Sequence, residues 1–271
     1  MICRELGPPD RLEVEDTDAL QAGPGQVVVD VRAAGVTFAD ALIVSGGYQI
    51  KPPLPFVPGS EAAGVVAAVG DGVEAWTVGD RVLWSSLGTF AEQVAVAPEA
   101  LLPLPEAVSF GQGASFMQSY VTMLFALTRR TIVAAGETVL VLGAGGGVGL
   151  AAVDVARALG LRALAAASSK EKLAAAEAMG AEASIAYEDE DLKTRARELS
   201  GGGVDVVVDA VGGSHAEPAL RALRVGGRYL VLGFASGAIP TLPLNHVLLN
   251  NRTVVGVDWG GWAFQHLVEN R

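Results

Sequence analysis

Residues 137–149, ETVLVLGAGGGVG, run an apolar stretch into a glycine-rich turn, and the next residues fall at helical spacing. A fully apolar run such as Val139 to Leu142 suits a strand buried on both faces of a parallel sheet. Residues 148–159 leave Asp154 and Arg157 for solvent and keep the remaining positions apolar or small, as a half-buried helix does. A strand, a tight glycine turn and a helix in that order aim backbone N–H groups and the positive end of a helix at one point. A pyrophosphate binds well there. The best register of the dinucleotide pattern is Ala144-x-Gly146-x-x-Gly149, with alanine in the first slot and Gly143 before it. In a chain with 34 glycines, a tight turn without a ligand is the competing reading.

The stretch beyond the turn argues for the ligand. Strands are expected over residues 161–167, 183–187, 204–209, 229–233 and 253–258. Helices are expected over 170–179, 191–199 and 215–223, the last two closed by Gly201 to Gly203 and by Gly226 and Gly227. This alternation predicts a doubly wound parallel sheet with its ligand edge at the strand C-termini. About 20 residues beyond the turn, an NAD site usually offers a carboxylate to the ribose 2′-hydroxyl. Ser168, Ser169, Lys170 and Lys172 stand there instead. Hydroxyls and an ammonium stabilise a 2′-phosphate that a carboxylate would repel, which favours NADPH. The alternative makes Ser169 a helix cap and the lysines a solvated first turn, and both roles can coexist.

At 271 residues the chain is long enough for one large or two ordinary domains. No stretch of about 18 residues is continuously apolar, so no transmembrane helix is expected. The N-terminus lacks the organisation of a secretory signal. A net charge of −11 disfavours nucleic-acid and anionic-membrane partners. One cysteine, Cys3, excludes an intramolecular disulfide and a thiolate-rich zinc site. These features predict a cytoplasmic, metal-free protein. Up to about Val108, short apolar runs at 27–33, 64–69, 80–83 and 93–97 alternate with Gly and Pro, the texture of a β-rich module. Residues 109–126 read as mainly helical, and the domain boundary is expected near Phe110, giving domains 1–110 and 111–271.

Taken in chain order, GVTFADALIVSGGY (35–48), KPPLPFVPGSEAAGVV (51–66), VGDRV (78–82), GTFAEQVAV (88–96), QSYVTMLFAL (118–127), VDVVVDAVGG (204–213) and GGRYLVLGFASGAIP (226–240) resemble the zinc-free quinone oxidoreductase branch of the medium-chain dehydrogenases/reductases. The match spans nearly the whole chain in the family's order. It implies an α/β architecture, a chaperonin-10-like β-rich substrate domain followed by a Rossmann domain that binds NADPH, with the nicotinamide in the cleft between them. It also implies hydride transfer to quinones or α,β-unsaturated carbonyl compounds, and a homodimer formed through the edge strand 253–258. Zinc-dependent relatives carry Gly-His-Glu where this chain has Gly59-Ser60-Glu61, and their cysteine-rich lobe is missing. A catalytic zinc is therefore not expected.

Carried over by position, Gly146, Gly147 and Val148 would meet the pyrophosphate. Ser168, Lys172 and Tyr187 would surround the 2′-phosphate, and Thr122, Phe234 and Ser236 would line the nicotinamide side. Thr37 replaces the family's usual Asn. Tyr48 is the candidate proton donor, with a packing aromatic of the cleft wall as its other reading. Glu61 and Asp40 are expected to be structural, and His215, His246 and His266 to be surface or helix-end residues outside the cleft. Relatives continue past the last strand with a segment that returns to the β domain, and their first strand is longer. The chain is thus expected to be either a fragment or a naturally truncated relative, with an enoyl-thioester reductase or an NADPH-binding protein of little turnover as alternative functions.

Overall fold

The computed structural model describes residues 1–266, 269 and 270; the end of the second expected domain, Arg271, lies outside them. The chain forms two compact units, Met1–Gln118 and Ser119–Arg271. No helix among the described residues is long and apolar enough to cross a membrane.

The N-terminal unit is built on an antiparallel sheet of β1 (Val27–Ala34), β2 (Ala62–Val69), β3 (Arg81–Trp84), β4 (Gln93–Val96) and β5 (Leu102–Pro103), in the order β4-β1-β2-β3-β5. Val27, Val29, Ala62, Val66, Val82 and Trp84 fill its core. Each fully buried Val-sized side chain contributes about 1.5–3 kcal/mol. A short helix, α1 (Phe38–Ser45), starts in a reciprocal cap. Thr37 Oγ accepts the Asp40 N–H at 3.2 Å, and the Asp40 carboxylate accepts the Thr37 N–H at 2.8 Å. A second small helix, α2 (Phe110–Gly113), is capped in the same way by Ser109 and Gln112.

A π-helical turn, Met117–Val121, carries the chain from the first unit into the second, where α3 (Thr122–Phe125) and another π-helical turn, Ala126–Arg130, follow. Strands and helices then alternate: β6 (Thr138–Leu142), α4 (Gly147–Ala158), β7 (Arg162–Ala167), α5 (Lys170–Ala178), β8 (Ala183–Ala186), α6 (Leu192–Leu199), β9 (Val204–Asp209), α7 (Ala216–Ala222) and β10 (Leu223–Val231). They are followed by α8 (Asn245–Leu248), β11 (Thr253–Gly256) and α9 (Trp259–Gln265). All six strands pair in parallel, in the order β11-β10-β9-β6-β7-β8. This is the doubly wound Rossmann order, so the expected fold class is borne out. The direction of winding reverses between β6 and β9, and open sheets of this kind bind ligands beside the carboxyl ends of the strands at such a reversal.

One expectation fails here. Gly226 and Gly227 do not close the preceding helix. The chain is already a strand at Leu223, which pairs with Val204, and the register then shifts before Arg228 pairs with Val206. Gly226, at φ +74°, lies in this bulge, where a left-handed backbone suits glycine. Buried Arg252 instead satisfies the end of α7, donating to the carbonyls of Arg221 and Leu223.

Candidate functional site

At the end of β6 the backbone turns through Gly143, at φ +68°, and enters α4 with Gly146 as its N-cap. Ala144, the alanine of the first slot, is buried, and its N–H donates to the Ala166 carbonyl of β7 at 3.1 Å. Gly149 lets α4 lie against the turn, because a Cβ there would sit 2.2 Å from the Gly143 carbonyl oxygen. Gly146 is different. A Cβ on it would find only the Gly143 oxygen, at 3.5 Å, so the fold itself leaves that space open. No side chain caps this helix and no acidic residue stands in its first turn. The N–H groups at the start of a twelve-residue helix are thus offered to an anion without a competing carboxylate.

The open space fits a pyrophosphate, and the next loop fits a further phosphate. Ser169 caps α5, and Lys172 lies one turn in. The Lys172 ammonium donates to the Ser168 hydroxyl at 3.2 Å. The stem of Lys172 packs over Gly145, where a Cβ would come within 2.4 Å of the Lys172 Cβ. The two halves of the sequence signal therefore touch. Tyr187, just after β8, joins the group through a hydrogen bond between its phenol and Ser168. Burial pushes the phenol up from its ordinary pKa, with the charges of Glu188 and Asp209 adding to this, so it stays protonated at neutral pH.

A third part of this edge is the loop after β10. It is laced to the loop after β9 by the Ala235 N–H on the Ala210 carbonyl and the Ser236 N–H on the Val211 carbonyl, both at 3.0 Å. Phe234 and Ser236 press so close to the backbone that a Cβ on Gly212 would meet Phe234 at 2.8 Å, and one on Gly213 would meet Ser236 at 2.6 Å. Thr122, half-buried, opens α3. The preceding turn lies beside α4: Ser119 Oγ would be 3.3 Å from a Cβ on Gly147, and Tyr120 donates to Asp154 at 3.1 Å.

Sequence reasoning missed two residues of this edge. Asp209, buried at the end of β9, accepts the N–H groups of Val211 and Gly212 at 2.8 Å each and the Tyr229 hydroxyl on its other oxygen. It fixes the loop on which Phe234 packs. An acid ending the apolar run of VDVVVD was the available signal. His215 is the second. It sits at a helix end as expected, at the N-cap position of α7, and its ring centroid lies 4.2 Å from that of Tyr187. The contact joins residues 28 positions apart, and no local pattern encodes it. His246 and His266 also sit at helix ends, the first 3.8 Å from Glu217 and the second stacked on Trp262.

In the N-terminal unit the Thr37 hydroxyl donates to Asp40 at 2.8 Å, so it is engaged in capping α1. Tyr48, half-buried, packs against the cluster of Cys3, Ile43, Val44 and Phe56. Glu61 is almost wholly buried and accepts the Gln118 N–H at 3.0 Å. Burial, with the charge of Asp40 adding to it, raises the Glu61 pKa to about 7 despite N–H groups from Gln118 and Met117. One Asp40 oxygen is buried without a hydrogen-bond partner among the described residues, and so is the Ser60 hydroxyl.

Two family descriptions match this chain: an alcohol dehydrogenase GroES-like domain over residues 23–106 and a zinc-binding dehydrogenase over residues 147–270. The donor set does not fit zinc, since no three His, Cys, Asp or Glu residues among those described come together in a way that could hold a metal ion. The chain is 41% identical to quinone oxidoreductase-like protein 2 of Mus musculus, over 97% of this chain and 76% of that protein. The quinone oxidoreductase of Escherichia coli, solved in complex with NADPH, superposes with a TM-score of 0.89 at 31% identity, over 99% of this chain and 84% of that one. That of Thermus thermophilus, solved alone and with NADPH, gives 0.82 at 39% identity, over 99% and 83%.

Proposed function

The chain belongs to the medium-chain dehydrogenase/reductase superfamily, in its quinone oxidoreductase branch, and we propose that it is an NADPH-dependent, zinc-independent oxidoreductase acting on quinones or α,β-unsaturated carbonyl compounds. The observation that carries this reading is the contact of Lys172 with both Ser168 and the glycine turn, which sets a cation beside a hydroxyl pair next to a free helix N-terminus. Relatives solved with NADPH support it.

When bound, the cofactor supplies hydride to an electron-poor carbon of the acceptor. The chain's own residues bind and orient. Gly147 and Val148 offer N–H groups to the pyrophosphate, and Gly146, whose own N–H is held by the Gly143 carbonyl at 3.0 Å, leaves the space the group would fill. Ser168, Lys172 and Tyr187 take the 2′-phosphate through charge-assisted hydrogen bonds. Thr122, at the start of α3, and Phe234 and Ser236, on the loop that packs against the one Asp209 holds, bound the nicotinamide side. Hydride addition to a conjugated carbonyl places negative charge on oxygen. Tyr48 is the proposed donor to that oxygen, while Thr37 contributes by fixing the start of α1. The active form is proposed to be a homodimer.

Cofactor consumption measured with a panel of quinones, enones and enoyl thioesters tests this directly, the preferred class naming the substrate. Oxidation above background with quinones or enones is expected. Tight NADPH binding with no turnover of any acceptor would sink the oxidoreductase reading and leave a cofactor-binding relative. Changing Lys172→Glu is expected to weaken NADPH about 100-fold and NADH by no more than a few-fold, since it replaces a charge-assisted contact with a repulsion. Equal losses for the two cofactors would refute the 2′-phosphate assignment.

A further inference from the structure

His215 closes the short 3-10 turn Gly213–His215 ahead of α7, so the end of β9 delivers it to the ligand edge of the sheet. Its ring is half-buried, tilted 39° to the Tyr187 ring and 4.2 Å from it between centroids. The opposite end of the Tyr187 side chain is the phenol on Ser168, and Ser168 accepts the Lys172 ammonium. Imidazole, phenol, hydroxyl and ammonium thus form one chain of contacts across three successive strand ends.

An aromatic ring in this position limits the rotation of Tyr187 and so keeps the phenol on Ser168, beside the Lys172 ammonium.

We propose that His215 is a positioning residue of the cofactor site, its ring holding Tyr187 against Ser168 and so favouring the 2′-phosphorylated nicotinamide cofactor over the unphosphorylated one. This rests on the NADPH reading above and adds a residue to it.

The test is calorimetric titration of the full chain with NADP⁺ and with NAD⁺ at pH 8. Three proteins are compared: the unaltered chain, His215→Phe and His215→Gln. His215→Phe keeps a ring against Tyr187 and is expected to hold the NADP⁺-over-NAD⁺ preference of the unaltered chain within about twofold. His215→Gln removes the ring and is expected to lose about three- to tenfold of that preference, chiefly in NADP⁺ affinity. The same preference in all three proteins, or an equal loss in both variants, would overturn the role of His215 and leave the cofactor assignment intact. Failure of the unaltered chain to bind NADP⁺ would overturn the cofactor assignment, and the histidine's role with it.

Discussion

A carboxyl taken out of water can stay ionised only if donors surround it, and Glu61 has too few. It accepts backbone N–H groups from Gln118 and Met117, yet it is almost wholly buried and feels the charge of Asp40. Its pKa therefore rises from 4.5 to about 7. Between those values the folded chain binds a proton that the unfolded chain has released, so this residue's stabilisation is full below about pH 4.5 and is lost as the pH rises through about 7. Replacing Glu61→Gln removes the titration and keeps an oxygen for the Gln118 N–H. Denaturant unfolding at pH 5 and pH 8 should show the unaltered chain losing as much as about 3 kcal/mol relative to the variant across that window. An unchanged difference between the two proteins would show that Glu61 does not titrate there. The same residue illustrates what sequence can and cannot reveal. Gly59-Ser60-Glu61 pointed to a structural carboxylate, but its protonation depends on Asp40 and Gln118, which only the folded unit brings close.

At the level of elements, the glycines of the β6–α4 turn divide into those required by the fold and one left for the ligand. A methyl on Gly149 would collide with the Gly143 carbonyl and the Ala144 Cα, backbone atoms that cannot swing aside. Gly149→Ala is therefore expected to cost about 1–3 kcal/mol of stability, read by denaturant unfolding. Gly146→Ala meets nothing closer than 3.5 Å and keeps an ordinary extended N-cap backbone, so its stability should fall by no more than about 1 kcal/mol, the difference between Gly and Ala at an N-cap. Its cofactor affinity should nevertheless collapse, because the methyl would occupy the proposed pyrophosphate space. Undiminished NADPH binding by a stable Gly146→Ala protein would place the pyrophosphate elsewhere. This turn was legible because β6 is a buried strand with no polar interruption, and because Gly149 must be small wherever a helix lies on such a turn. α1 was not legible: FADALIVS is apolar on every side, and its start is marked by Thr37 and Asp40 alone. The beginning of β10 was misread for a related reason. Two adjacent glycines look the same in a helix terminus and in a strand bulge, and Arg252, which caps α7, lies 30 residues beyond its last helical residue.

For the whole molecule, sheet geometry and charge act on association in opposite directions. β11 is an edge strand of the six-stranded sheet, with Thr253, Val254 and Gly256 exposed. An edge of this kind carries unpaired backbone groups and tends to find a second edge. Each copy also carries a net charge of −11, so two copies repel over distances set by the ionic strength, about 10 Å at 0.1 M salt. Hydrogen bonds across paired edges are short-ranged and little affected by salt, whereas the repulsion is screened by it. The proposed homodimer should therefore strengthen as salt is added. Light scattering is expected to give twice the 27.7 kDa of one chain at moderate salt and a lower average mass at low salt. Placing a charge on the edge with Val254→Lys should shift the protein towards monomer while reducing the overall repulsion slightly. That opposition makes the variant informative. If dimerisation used another face, the added positive charge would favour it, and Val254→Lys would associate more strongly than the unaltered chain.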